Sequence, residues 1–139
     1  MSTSVTNLLI SSNSCNELKS LNLNEYRYLK SIEIGDDCFE NVDLFKIDGL
    51  NQLKSVKMGM NSFTKEKNSY GNDESRSFHL LNCDKLESIE VGKYSFSDYG
   101  GLFELLNLPS LSSIKMSSRN FYYSLFVVKG IIDDDIVNE

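Results

Sequence analysis

Leu53-Lys-Ser-Val-Lys-Met-Gly59 recurs along this chain as Leu29-Lys-Ser-Ile-Glu-Ile-Gly35, Leu86-Glu-Ser-Ile-Glu-Val-Gly92 and Leu111-Ser-Ser-Ile-Lys-Met-Ser117. Val5-Thr-Asn-Leu-Leu-Ile-Ser11 is a weaker fifth copy. The copies begin 24, 24, 33 and 25 residues apart. Such a period marks a solenoid, in which one strand-and-turn unit cannot bury its own apolar face and stacks on its neighbours to do so.

Counting the leading aliphatic as position zero, positions three and five are apolar in every copy. They are Leu8 and Ile10, Ile32 and Ile34, Val56 and Met58, Ile89 and Val91, Ile114 and Met116. Apolar residues two apart with polar ones between them predict a strand with one buried face. The enrichment in β-branched side chains agrees. Gly35, Gly59 and Gly92 follow three of the strands, where a sharp bend suits a residue without Cβ.

Position ten is Cys15, Phe39, Phe63, Phe96 and Phe121. A second apolar pair follows in each unit: Leu21 and Leu23, Phe45 and Ile47, Phe78 and Leu80, Phe103 and Leu105, Phe126 and Val128. Its spacing predicts a short second strand rather than a helix. The units close on Tyr26, Leu50, Cys83, Leu108 and Ile131. These positions hold most of the phenylalanines, so aromatic columns are expected to fill the interior.

The string Leu53-x-x-Val56-x-Met58-x-x-Asn61-x-Phe63 resembles the leucine-rich-repeat pattern LxxLxLxxNxL position by position. Val5 to Cys15 resembles it too, with Asn13 in the asparagine slot, and Leu29 to Phe39 carries Asp37 there. Tyr94 and Arg119 depart from it. The resemblance implies that the asparagine caps amides of the adjoining turn. Unit length and the trailing Phe are similar to the irregular, Phe-rich repeats of the BspA-like or treponemal type, although their usual proline after the strand is missing and Pro109 is the sole proline. The fold class implied is a β-rich, right-handed leucine-rich-repeat solenoid of about five coils. A parallel sheet would form one face, with short strands or irregular turns on the other.

A single domain, 1–139, is expected. Its repeats run over 5–28, 29–52, 53–85, 86–110 and 111–132, with an insertion at 64–75 and an acidic tail at 133–139. The net charge is −6, with no polybasic stretch, which argues against nucleic acid and against an anionic membrane surface. No run of about 18 apolar residues predicts a membrane-inserted helix. The N-terminus lacks the basic start and apolar length of a signal peptide. Three cysteines without a CxxC spacing favour reduced thiols and a cytoplasmic location, an extracellular one remaining open for a module cut from a longer precursor.

No cofactor, metal or catalytic motif is apparent, and the chain is expected not to be an enzyme. His79 should point outward with no Ser or Cys nucleophile beside it, as an ordinary surface residue. Such repeats most often serve recognition, so a protein partner is expected. Position four reads Leu9, Glu33, Lys57, Glu90, Lys115, a column of alternating sign, and position two reads Asn7, Ser31, Ser55, Ser88, Ser113. As a candidate partner-binding face this gives Ser31, Glu33, Ser55, Lys57, Ser88, Glu90, Ser113 and Lys115. The competing reading is a column that neutralises itself and enforces register. Tyr70 is the one insertion residue suited to anchor a partner. The alternative to an interaction scaffold is a structural protein whose copies stack end to end through uncapped solenoid edges.

Overall fold

A computed structural model of the protein describes residues 4–117 and 119–130. The closing position Ile131 and the acidic tail therefore lie outside the described residues. The first strands of the five units are β1 (Asn7–Ile10), β3 (Ser31–Ile34), β5 (Ser55–Met58), β7 (Ser88–Val91) and β9 (Ser113–Lys115). They form one parallel sheet in that order. The second strands are β2 (Ser20–Asn22), β4 (Leu44–Asp48), β6 (Ser77–Leu81), β8 (Leu102–Leu106) and β10 (Leu125–Lys129), and they form a second parallel sheet. The chain is a β-solenoid of about five turns, with a complete sheet on the far side rather than irregular turns.

Register follows the repeat. Ile32 pairs with Val56, Val56 with Ile89, and Ile89 with Ile114. The inward residues of both sheets meet in one core of buried aliphatic and aromatic side chains. Phe39, Phe63, Phe96 and Phe121 stack as one ladder, with ring centroids 5.1, 4.5 and 4.6 Å apart. A second column runs through Phe45, Phe78, Phe103 and Phe126. Such pairs contribute about 0.5–1.5 kcal/mol each beyond their buried area.

The turns that lead from the first sheet to the second are left-handed at two positions in each of the first four coils and, among the described residues, at one in the fifth. Position eight has φ of 61° at Asn13, 56° at Asp37, 57° at Asn61 and 67° at Tyr94. Position ten has φ of 59° at Cys15, 56° at Phe39, 57° at Phe63, 59° at Phe96 and 53° at Phe121. Asn and Asp tolerate this region, whereas a bulky residue there loses about 1–2 kcal/mol. The phenylalanines offset that cost by stacking. The asparagine slot is thus a conformational requirement. Among the described residues Asn13 and Asp37 make no side-chain cap, and Asn61 is bonded instead to Asn68, its Nδ2 donating to Oδ1 and its own Oδ1 accepting from the Asn68 N–H.

Capping is done one residue later. Position nine reads Cys38, Ser62, Ser95 and Asn120. Each donates to a position-six carbonyl of the preceding coil: Cys38 Sγ to Ser11, Ser62 Oγ to Gly35, Ser95 Oγ to Gly59 and Asn120 Nδ2 to Gly92. Ser62 Oγ also accepts from the Cys38 N–H, and Ser95 Oγ from the Ser62 N–H. This ladder satisfies buried backbone groups at every coil junction.

The glycines after the strands serve a different end from the expected bend, because their φ values are not left-handed. Their carbonyls and amides are where coils approach most closely. A Cβ on Gly92 would lie 2.3 Å from both the carbonyl carbon and the oxygen of Gly59.

Candidate interaction surface

The 64–75 insertion is folded against the fourth coil. Thr64 Oγ1 lies 2.8 Å from Ser97 Oγ, and the Lys65 N–H donates to Asp98 Oδ2. Gly71 N–H donates to the Ser97 carbonyl and Asp73 N–H to that of Asp98. Gly71 lies between the start of the insertion and this coil, where a Cβ would sit 3.1 Å from Glu66 Cγ and 3.4 Å from Asp98 Cβ. Asp73 closes the loop by accepting from the Ser75 N–H and hydroxyl. The Ser75 hydroxyl holds the Asp73 carboxyl below its ordinary value, with Arg76 and Lys65 adding to the effect.

At the base of the insertion Arg76 is fully buried. Its Nη1 donates to Asp98 Oδ2 at 2.7 Å, and its Nη2 to the carbonyls of Glu40 and Val42 at 2.5 and 2.9 Å. Nε lies 3.2 Å from Asp43 Oδ1 without hydrogen-bond geometry. The guanidinium also sits 5.0 Å from the Tyr99 ring centre, and the Tyr99 hydroxyl donates to the Val42 carbonyl. Burial pushes the Tyr99 hydroxyl well above its usual range. This group therefore staples the second, third and fourth coils. Nothing in the repeat pattern marked it.

Beyond this anchor the insertion carries Tyr70 across to the fifth coil. There it meets Tyr122 and Tyr123, with ring centroids 4.7 and 6.2 Å away. Arg119 Cζ lies 4.8 Å from the Tyr70 ring centre and 6.0 Å from that of Tyr122. The three tyrosines remain 39 %, 47 % and 49 % exposed, so the rings face solvent. Tyr, Trp and Arg are the residues most enriched at energetic centres of protein interfaces. Tyr70 was expected as an anchor. Its companions were not, because only the path of the insertion brings position eight of the last coil beneath it.

The strand-face candidates take up the expected columns. Ser31, Ser55, Ser88 and Ser113 align, as do Glu33, Lys57, Glu90 and Lys115. In the charge column Lys57 Nζ lies 3.9 Å from Glu90 Oε2 with both side chains about half exposed. Such a pair contributes about 0–1 kcal/mol. Among the described residues no other pair in that column closes to ion-pair distance.

His79 is less ordinary than expected. Ser77, on the same outward face of β6, lies 3.0 Å from its Nε2, and Glu104 Oε1 on β8 lies 2.8 Å from its Nδ1. The three form a Ser–His–Glu relay, with Ser77 and His79 lining a hollow of about 470 Å³ together with Gly100, Gly101, Leu102 and Leu125. An acyl-transfer site also needs donors converging on a developing oxyanion. Here the Ser77, Gly100 and Gly101 N–H groups are committed to the carbonyls of Asp43, Asp73 and Arg76.

The cysteines are free thiols. Burial raises the Cys15 and Cys83 thiols above their ordinary value, with nearby acidic groups adding to the effect, so thiolate chemistry is suppressed at both. Among the described residues no cluster of His, Cys, Asp or Glu could hold a metal ion, and no helix is long and apolar enough to cross a membrane. No family model matches the chain, and no curated protein or solved structure does so either.

Proposed function

We propose that this protein is a non-enzymatic interaction module, a short solenoid of the leucine-rich-repeat kind that presents the Tyr70–Arg119–Tyr122–Tyr123 ridge to a protein partner. The observation that carries this reading is the gathering of three half-exposed tyrosines around one arginine by an insertion pinned in place from below. Rigid aromatic anchors lose little side-chain entropy on binding, and the pinned loop has less still to lose. The strand face is second in rank, because Lys57 and Glu90 already satisfy one another.

Affinity capture with three forms of the intact chain tests the assignment: wild type, Tyr122→Ser/Tyr123→Ser, and Lys57→Ser/Glu90→Ser. Partner loss confined to the tyrosine variant is expected, and loss confined to the strand-face variant overturns it.

The second reading is a structural protein whose copies stack end to end. Leu9 favours it, lying outward on the first strand of its sheet with 72 % of its surface exposed. Sedimentation at several concentrations distinguishes the two, because end-to-end stacking makes mass grow with concentration.

A further inference from the structure

Resting on the ridge as the docking surface, we infer that its partner is a proline-rich segment in the polyproline II conformation, with pyrrolidine rings against the tyrosine faces and the tyrosine hydroxyls donating to the partner's carbonyls. The ring geometry points to this class. The centroids of Tyr70, Tyr122 and Tyr123 form a compact triangle with sides of 4.7, 4.9 and 6.2 Å. The ring planes meet at 48°, 89° and 43°, so no two of them make a flat platform. Successive bases, or the flat rings of a polysaccharide, stack on parallel aromatic faces. This cluster offers notches between tilted rings instead.

The same geometry removes the other common modes of peptide recognition. None of the four ridge residues lies in a strand, so an incoming strand has no ladder to join there. A docked helix uses anchors at i, i+4 and i+7, about 10 Å from first to last. The tyrosine centroids reach only 6.2 Å. Phosphorylated and acidic motifs are held by clustered arginines, and Arg119 is the single arginine of this ridge, its guanidinium lying over Tyr70.

A polyproline II helix meets each demand. It rises about 3.1 Å per residue with three residues per turn, so one turn of about 9 Å passes over all three rings. It makes no internal hydrogen bonds, and its carbonyls need donors from outside. Among the described residues the hydroxyls of Tyr70, Tyr122 and Tyr123 have no partner, which leaves them to supply those donors. The partner's backbone is ordered before it docks, as the pinned loop is, so little entropy is lost on either side.

The test uses amide NMR shifts of the full chain, titrated with four probes. These are a capped peptide Pro-Leu-Pro-Pro-Leu-Pro, its counterpart with every Pro replaced by Ala, cellohexaose, and a pentauridylate. The Pro peptide is expected to move the signals of Tyr70, Arg119, Tyr122 and Tyr123, and the Ala peptide to bind about tenfold more weakly. Tyr122→Phe/Tyr123→Phe keeps the rings and deletes two donors, and should weaken the Pro peptide about fivefold or more; unchanged affinity overturns the hydroxyl contacts. Equal binding of the Pro and Ala peptides overturns the proline preference while leaving the ridge as a peptide surface. Stronger binding of cellohexaose or the pentauridylate at the ridge overturns the partner class. No ridge shift with any probe overturns the proline reading alone, the affinity capture above then deciding the ridge, and shifts confined to the strand face overturn both.

Discussion

Replacing Arg76 with Met should remove more stability than any other single change outside the aliphatic core. The substitution keeps the stem but deletes a charge bonded 2.7 Å from Asp98 Oδ2. The Asp98 side chain is 6 % exposed, so its carboxylate would stay buried with only the Lys65 amide to compensate it. The Glu40 carbonyl loses its guanidinium donor as well, whereas the Val42 carbonyl keeps the Tyr99 hydroxyl.

Breaking a buried pair from one side costs about 3–5 kcal/mol. That is a fifth or more of the roughly 5–15 kcal/mol available to a domain, and about 10–20 °C in melting temperature at this size. Urea titration followed by far-UV circular dichroism measures it. The double variant Arg76→Met/Asp98→Leu removes both charges and should recover at least about 2 kcal/mol of the loss. An Arg76→Met protein within about 1 kcal/mol of wild type would refute the staple. So would a double variant no more stable than the single one.

Four other outcomes follow from the same contacts. Tyr99→Phe should cost about 1 kcal/mol at neutral pH. Because folding raises the Tyr99 hydroxyl above its ordinary value of 10, its contribution is complete below pH 10 and is lost as the pH rises further; the variant should therefore unfold less steeply than wild type in an alkaline titration. Gly92→Ala should lose at least about 1–3 kcal/mol through collision with Gly59, measured as a fall in melting temperature. Ile89→Asp should unfold the chain while Lys57→Ser costs under about 1 kcal/mol, and circular dichroism that showed Lys57→Ser unfolded would mean that the charge column had been underrated. A fluorophosphonate probe should leave Ser77 unlabelled, and labelling that vanished in His79→Gln would turn the relay into a working nucleophile.

Much of the fold was legible because the side-chain period of a strand is two, and a one-residue error would have turned Ile32, Val56 and Ile89 out to solvent. The second strands were legible for the same reason. Turn chemistry was read one residue out of place. Asn13, Asp37 and Asn61 look like caps, but they meet a backbone demand that Tyr94 also meets. The true caps are a column of Ser, Cys and Asn at position nine whose common property is a short donor. Ser77 beside His79 was within reach of the alternation rule, since residues two apart share a face.

The staple and the ridge were not legible. Arg76 and Asp98 lie 22 residues apart, one just after the insertion and the other in the next unit. Neighbourhood there depends on how the extra residues route themselves. Only Tyr70 stood out, as an aromatic among polar residues.

That detour alters how the molecule should come apart. A simple stack passes stability only between adjacent turns, and either end can loosen alone. Here one side chain grips three successive turns, and the loop above it touches a turn two steps further on. Everything from Glu40 to Tyr123 should consequently open as one unit in hydrogen exchange, while the first turn flickers independently. The excess length that interrupts the rhythm is what converts a row of dominoes into a clamped block.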